Sequence, residues 1–272
     1  MHRALLCLVM MILPLFSALA QDSDLRLLTR VSSQGVAPLI PSSRERTFLQ
    51  HKQVLTIGIP PGELPLYCMC NIRNEYEGLS ADYLGLIAHQ LNLPVRIQRF
   101  ASQEALWAAL AEGKIDAVPS VDNFIDTRNV ALTNSYASEK PVLGADFTRR
   151  VDLPGDLADR DIAMVRNYLP LSLLRQYYPR AHFRLYDNDR DALSAVAFGR
   201  ADVYLGNSFA LNRNFLNNLR LIRYSALPLR EIGFAINRNS PELLSLFNKA
   251  LKAIPEEKKQ ALSRFWQSDM VD

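Results

Sequence analysis

The chain has 272 residues, of which 49% are hydrophobic and 22% charged, and its formal net charge is +3. That length suits one large domain or two ordinary ones, and the composition excludes a disordered or fibrous chain. The basic residues are scattered, with no run longer than a pair such as Arg149-Arg150, so no nucleic-acid partner is expected.

In chain order, the opening "MHRALLCLVMMILPLFSALA" has a short basic start (His2, Arg3), an apolar run, and Ala18-Leu19-Ala20 before a polar stretch. It reads as a secretory signal peptide, residues 1–20, cleaved after Ala20. The rival reading, an uncleaved anchor, is disfavoured by the A-x-A ending. Cys7 lies too early to be a lipoprotein cysteine. No later apolar run approaches the ~18 residues that a membrane span needs, so an exported, soluble product is expected. Residues 21–52 form a polar lead-in, with one short helix in "PSSRERTFLQHK" capped by Ser42 or Ser43.

Val54–Ile59 is then a buried strand stopped by Pro60-Pro61. Two cysteines follow, Cys68 and Cys70 in "YCMC". Thiols without function, a redox-labile pair and a soft-metal site for Cu(I) all remain open for them. "LSADYLGLIAHQLN" carries Leu79, Tyr83, Leu86, Ile87 and Leu91 at helical spacing, with Ser80 as expected N-cap. "PVRIQRF" alternates as a strand, "SQEALWAALAEGK" is a helix from Ser102 to Gly113, and "IDAVPS" is the next strand. Such a β-α-β-α-β order implies a parallel sheet. After a bridging segment it starts again. "DIAMVR", "HFRLYD", "ADVYLG" and "LRLIRYS" are strands, with helices in "YLPLSLLRQYY", "DRDALSAVAFG" and "SFALNRNFLNN". "LPLREIGFAINRN" leads out as a strand. Two helices close the chain, "SPELLSLFNKALKAI", with Ser240 as cap and Pro241 at its first position, and "PEEKKQALSRFWQS".

The junction "EGKIDAVPS" thus returns as "FGRADVYLGN", each a helix, a Gly turn, a basic residue, an Asp and a strand. Two α/β lobes explain the echo. Lobe 1 is expected over 53–145, lobe 2 over 146–232, and a return to lobe 1 over 233–272. Chain crossings near Gly144–Thr148 and Arg230–Ala235 would form the hinge.

The segments "LTIGIP", "EGLSADYLGLIAHQLNLPV", "ALAEGKIDAV", "GRADVYL" and "GFAINRNSPELLSLFNKAL", in that order, resemble the bacterial extracellular solute-binding proteins of family 3. The resemblance implies a type II periplasmic binding fold, a Venus flytrap with two mixed sheets, flanking helices and a two-crossing hinge. "RERTFLQHKQVLTIGI" and the stretch from Asp161 to Asn207 are similar to the flytrap domains at the N-terminus of Bvg/Evg-type hybrid sensor histidine kinases. That resemblance covers the perception module alone, and a second flytrap, a transmembrane helix and a kinase are not expected.

In open α/β sheets ligands lie at the carboxyl ends of strands, here the cleft between the lobes. "IDAVPS" delivers Ser120, Asp122 and Asn123 there. Arg128 follows Asp116 at the separation at which amino-acid-binding members carry a carboxylate-gripping Arg; a surface pair with Asp126 is the alternative. Asn167 and Tyr168 stand where the family has Gly-Thr at a helix N-terminus. Asn207 replaces the acid that binds an ammonium group, Asp122 is the acid that would compensate, and Tyr67 is a candidate stacking wall. Tyr83, Phe265 and Trp266 read as packing.

The four histidines, His2, His51, His89 and His182, are never at ligand spacing, and neither metal nor cofactor is expected. No nucleophile elbow, phosphate loop or zinc-protease motif occurs, so no enzyme is expected, although dehydratases share this fold. The expected function is periplasmic capture of a small polar, carboxylate-bearing ligand for uptake through a membrane permease, by a monomer. The alternative is a sensor subunit presenting its open or closed state to a kinase.

Overall fold

The computed structural model describes residues 23–62, 64–214 and 216–268; the signal-peptide reading of residues 1–20 lies outside them. The first part of the chain runs β1 (Ser23–Leu27), α1 (Ser43–His51), β2 (Leu55–Ile59), β3 (Met69–Cys70) and β4 (Glu75–Glu77). It continues with α2 (Leu79–Leu91), β5 (Val95–Arg99), α3 (Gln103–Ala111), β6 (Ala117–Asp122), β7 (Val130–Leu132) and β8 (Ala137–Glu139). Then come β9 (Val142–Asp146), β10 (Asp161–Val165), α4 (Leu171–Tyr177), β11 (His182–Tyr186), α5 (Asp189–Ala197), β12 (Val203–Gly206), α6 (Ser208–Asn212) and β13 (Leu219–Tyr224). β14 (Arg230–Asn237), α7 (Pro241–Ala253) and α8 (Glu256–Ser268) complete it.

These elements form a mixed α/β fold with two sheets. One is nine-stranded, in the order β3-β4-β1-β5-β2-β6-β14-β7 with β8 on β14; the other is five-stranded, β11-β10-β12-β9-β13. At the centre of the first sheet β2 lies parallel to β5 and β6, and its Leu55, Ile57 and Ile59 are wholly buried. α2 and α7 press Leu84, Ile87, Leu246 and Phe247 onto that strand layer. The second sheet has its own cores, one around Ile162, Met164 and Val203, the other around Ala192, Val196 and Tyr204.

The repeated junction has one local structure in both lobes. Gly113 and Gly199 end their helices with φ of +72° and +71°, a conformation that costs glycine nothing. The next residue closes the turn, Lys114 N onto Ala109 O at 2.9 Å and Arg200 N onto Ala195 O at 2.7 Å. The aspartate then staples its strand to the neighbouring one. Asp116 accepts from Thr56 N at 2.8 Å, and Asp202 accepts from Asp161 N at 2.9 Å. In both, a carboxylate oxygen accepts a charge-assisted bond from a backbone amide near the start of the neighbouring strand.

Three features differ from the sequence reading. The lead-in contributes β1, antiparallel to β5 and parallel to β4. Ser80 does not cap α2. Gly78 stands at the N-cap and Ser80 lies one residue inside, its hydroxyl turned to Ser120 and Tyr136. The expected breaks at 145/146 and 232/233 fall inside β9 and β14, respectively. The apolar run Val142–Ala145 pairs with β12 and β13 in the second sheet, so the chain changes sheets at Lys140-Pro141 and again within Ser225–Leu229. These two crossings hold each other, Ser225 N on Pro141 O at 2.9 Å and Lys140 Nζ on Leu227 O at 2.5 Å.

α1 opens on a Ser42–Glu45 capping box, which makes Ser42 the cap of the two serines the sequence offered. Glu45 is buried and also takes Ser245 Oγ at 2.7 Å and Lys249 Nζ at 2.6 Å, which ties the lead-in to α7. Burial opposes its charge, but Lys249 and the two serines outweigh burial and lower its pKa from 4.5 to about 2. A depressed carboxylate pKa stabilises the fold above the unfolded value and is lost as pH falls through the folded one. Glu45→Gln is therefore expected to cost about 1–2 kcal/mol at neutral pH. Urea titrations should show that gap closing between pH 4.5 and about 2.

Candidate functional site

The inner end of β14 places one charged residue at the junction of the lobes. Arg230 is buried, with 4% of its side chain exposed. It is the register partner of Glu139, the last residue of β8. Its Nη1 donates to Glu139 Oε1 at 2.9 Å, while Nε and Nη2 both donate to Asp122 Oδ2, at 3.1 and 3.0 Å. Asp122 ends β6, and its other oxygen accepts from Phe124 N at 3.0 Å. Two carboxylates from separate strands thus hold one guanidinium.

Lobe 2 closes onto this triad. Tyr168, in the turn after β10, lays its ring 4.3 Å from the Arg230 guanidinium and donates its hydroxyl to Glu139. Asn207, just after β12, donates from Nδ2 to Glu139 Oε2 at 3.3 Å and to Pro65 O at 3.2 Å. Its Oδ1 accepts from Ala210 N at 2.8 Å and so caps α6. Tyr67, from the loop after β2, brings its hydroxyl beside Glu139 from the lobe 1 side. Phe209 of lobe 2 packs on the core of lobe 1, and Phe124 of lobe 1 packs on a core of lobe 2. The lobes therefore meet through direct side-chain contact.

Burial sets the electrostatics. It raises the pKa of Tyr67 and of Tyr168, and the Glu139 charge raises both further. Both phenols thus stay protonated donors. Burial also works against the Arg230 charge, but Tyr168, Glu139 and Asp122 outweigh it and the guanidinium pKa is raised. Glu139 receives bonds from Arg230, Tyr168 and Asn207, enough to offset its removal from water.

The Tyr67 loop is set by backbone. Leu79 N and Ser80 N, at the start of α2, donate to Leu66 O and Tyr67 O at 2.9 and 3.2 Å. Beneath lies a hydroxyl cluster, with Ser80 Oγ 2.7 Å from Ser120 Oγ and 2.5 Å from Tyr136 Oη. Ser120 has a left-handed φ of +61°, and its N–H donates to Tyr136 Oη at 3.1 Å.

The structure gathers Tyr67, Asp122, Tyr168 and Asn207 around the triad and sets Ser120 in the hydroxyl layer. Asn123 lies alongside, its Oδ1 accepting from Glu231 N at 2.8 Å. Arg128 does not join them. Its side chain is 85% exposed and its Nε donates to Asp126 Oδ2 at 2.7 Å, the surface pair named as the alternative. Nor do Asn167 and Tyr168 open a helix, because α4 starts at Leu171 behind Pro170. Asn167 is an exposed turn residue with φ of +64°, and the turn drives Tyr168 inward. Tyr83 is core, its ring 4.8 Å from Tyr136, and Trp266 is buried, its Nε1 donating to Asp82 at 2.7 Å. Sequence reasoning missed Glu139 and Arg230 as site residues. The available signal was the charged pair Arg230-Glu231 inside the otherwise apolar "LPLREIGFAI".

Among the described residues no group of three or more His, Cys, Asp or Glu side chains is placed to hold a metal ion. No described helix is long and apolar enough to cross a membrane.

The family model for bacterial extracellular solute-binding proteins, family 3, matches residues 55–269. The virulence sensor protein BvgS of Bordetella bronchiseptica is 32% identical over 225 residues, which is 80% of this chain and 18% of that protein. The sensor protein EvgS of Escherichia coli K12 is 26% identical over 243 residues, 84% of this chain and 20% of that protein. The chain thus spans about a fifth of the length of these curated relatives. The crystal structure of the B. pertussis BvgS periplasmic domain superposes with a TM-score of 0.79 at 28% identity, covering 92% of this chain and 49% of that one. An ancestral amino-acid-binding protein, a precursor of cyclohexadienyl dehydratase, shares the fold with a TM-score of 0.66 at 18% identity, covering 83% of this chain and all of that one.

Proposed function

Starting from the chain's membership of the bacterial extracellular solute-binding proteins of family 3, we propose that it is a periplasmic perception module whose lobe closure is read by a sensor kinase. One observation carries this reading: the cleft is closed on the protein's own side chains. Tyr168 and Asn207 occupy the donor positions around Glu139 and Arg230 that a captured molecule would need. A small molecule entering here must displace them, so binding and opening are coupled. Such a molecule acts only through its different affinities for the open and closed states. The likeness to BvgS and EvgS, both sensors by name, supports this use.

Delivery of a carboxylate to a permease is the second reading, favoured by the family. It has lost its expected anchor, since Arg128 is held at the surface by Asp126. The charge at the centre of the cleft, two carboxylates against one guanidinium, also opposes an anionic ligand. The family and the likeness to the sensors BvgS and EvgS support reading the site as binding machinery.

The test is small-angle scattering of the chain from Gln21 onward, unfolded and refolded to strip any bound molecule. The parent is expected to scatter as a closed form without ligand. Tyr168→Phe, which deletes the donor to Glu139, should shift the population toward a more extended one by about 1.5–3 kcal/mol. An open parent that closes only when a small molecule is added would overturn the proposal in favour of uptake.

A further inference from the structure

At the end of lobe 2 opposite the cleft, the strands of the second sheet begin and β9 ends. Phe147 follows β9 and is 47% exposed; Phe198 follows α5 and is 70% exposed. They belong to one surface. Phe147 N donates to Asn218 O at 3.0 Å, and Asn218 Nδ2 donates to Ala197 O at 3.1 Å. Around them stand Arg149, Arg150, Arg200 and Arg220, all exposed. Arg220 lies 5.3 Å from the Phe147 ring, and Arg149 reaches Val196 O at 3.5 Å.

None of these four guanidinium groups lies within salt-bridge distance of a carboxylate among the described residues, Arg149 acting on Asp146 only at longer range, whereas Arg160, Arg166, Arg180 and Arg184 elsewhere in lobe 2 are paired. The nearby acids are committed inward. Asp146 is buried on Thr148 and Asn218, and Asp202 accepts from Asp161 N. From Val142 to Tyr224 the sequence contains no lysine, so the charge of this pole is carried by arginine forks, which grip phosphate oxygens in pairs.

We propose that this pole docks on an anionic phospholipid surface, the arginines on headgroup phosphates and Phe147 and Phe198 at the edge of the acyl region. Uncompensated charge calls for an anionic counterpart, and two phenylalanine rings left in water beside it call for an apolar one. A lipid interface supplies both side by side. The contact would hold lobe 2 by the end away from the cleft and leave closure free.

The experiment is flotation of the chain from Gln21 onward, which holds every described element and lacks the apolar 1–20 stretch, with phosphatidylcholine vesicles carrying 0 or roughly a third phosphatidylglycerol. Binding only to the anionic vesicles, weakened by salt, is expected. Each arginine near such a surface contributes about a factor of five, so Arg150→Glu with Arg200→Glu should lower binding more than tenfold. Phe198→Ser should lower it with the net charge unchanged. Arg175→Glu with Arg190→Glu makes the same charge change on exposed residues away from the pole and should leave most of the binding intact. Melting temperatures of all variants separate lost binding from lost fold. Equal loss in both double variants, no preference for anionic vesicles, or retention of a soluble acidic polypeptide but not of vesicles would each overturn the proposal.

Discussion

Arg230→Ala is expected to lose about 3–5 kcal/mol of stability at neutral pH, because it strands two carboxylates with little access to water. Glu139 and Asp122 are 7% and 16% exposed in their side chains, and both lie within 3.1 Å of the guanidinium. Tyr168 would also lose the cation beneath its ring. Arg230→Lys keeps a charge but cannot span both carboxylates, and should fall between parent and alanine variant. Urea denaturation at pH 7 decides the matter. A loss below about 1 kcal/mol would mean that water reaches the triad and the cleft is not closed.

The second large effect is expected at Gly78. Its φ of +129° belongs to a region essentially reserved for glycine. A Cβ there would lie 2.4 Å from Tyr67 O and 2.8 Å from Tyr67 C, backbone atoms that no rotamer change can move. Gly78→Ala must therefore shift the Tyr67 loop or the start of α2. Strain and overpacking together should cost about 2–5 kcal/mol. The cost should come with a functional signature, since the displaced loop carries Tyr67 away from Glu139 and Pro65 away from Asn207. Melting temperature reads the first effect, and scattering of the ligand-free protein reads the second.

What the sequence disclosed, and what it withheld, follows from the range of each interaction. The repeated Gly–basic–Asp junction, the strands Leu55–Ile59 and Val203–Gly206, and the amphipathic α7 are written in local periodicity, and the two-lobed fold followed from them. β7 and β8 have three residues each, and what makes them and β1 strands is a partner far along the chain, as Ser23–Leu25 finds Ile97–Arg99. Asp122, Tyr168 and Asn207 could be placed near the junction of the lobes because each ends or closely follows a strand. Arg128 was chosen on spacing alone, and Asp126, two residues away, holds it at the surface. Glu139 and Arg230 were hidden for the opposite reason. Their meaning lies in facing each other across a strand pair whose existence nothing near either residue announces.

That facing pair has a mechanical consequence. Glu139 and Arg230 are the last residues of lobe 1 on the outgoing and returning strands, and just beyond them the two strands remain bonded through Pro141 with Ser225 and Lys140 with Leu227. Two independent linkers would let lobe 2 tilt, twist and slide. Strands fastened together at their roots remove the relative sliding and most of the twist. What remains is close to a single rotational degree of freedom, so anything that turns lobe 2 turns it about one axis and reports as one coordinate.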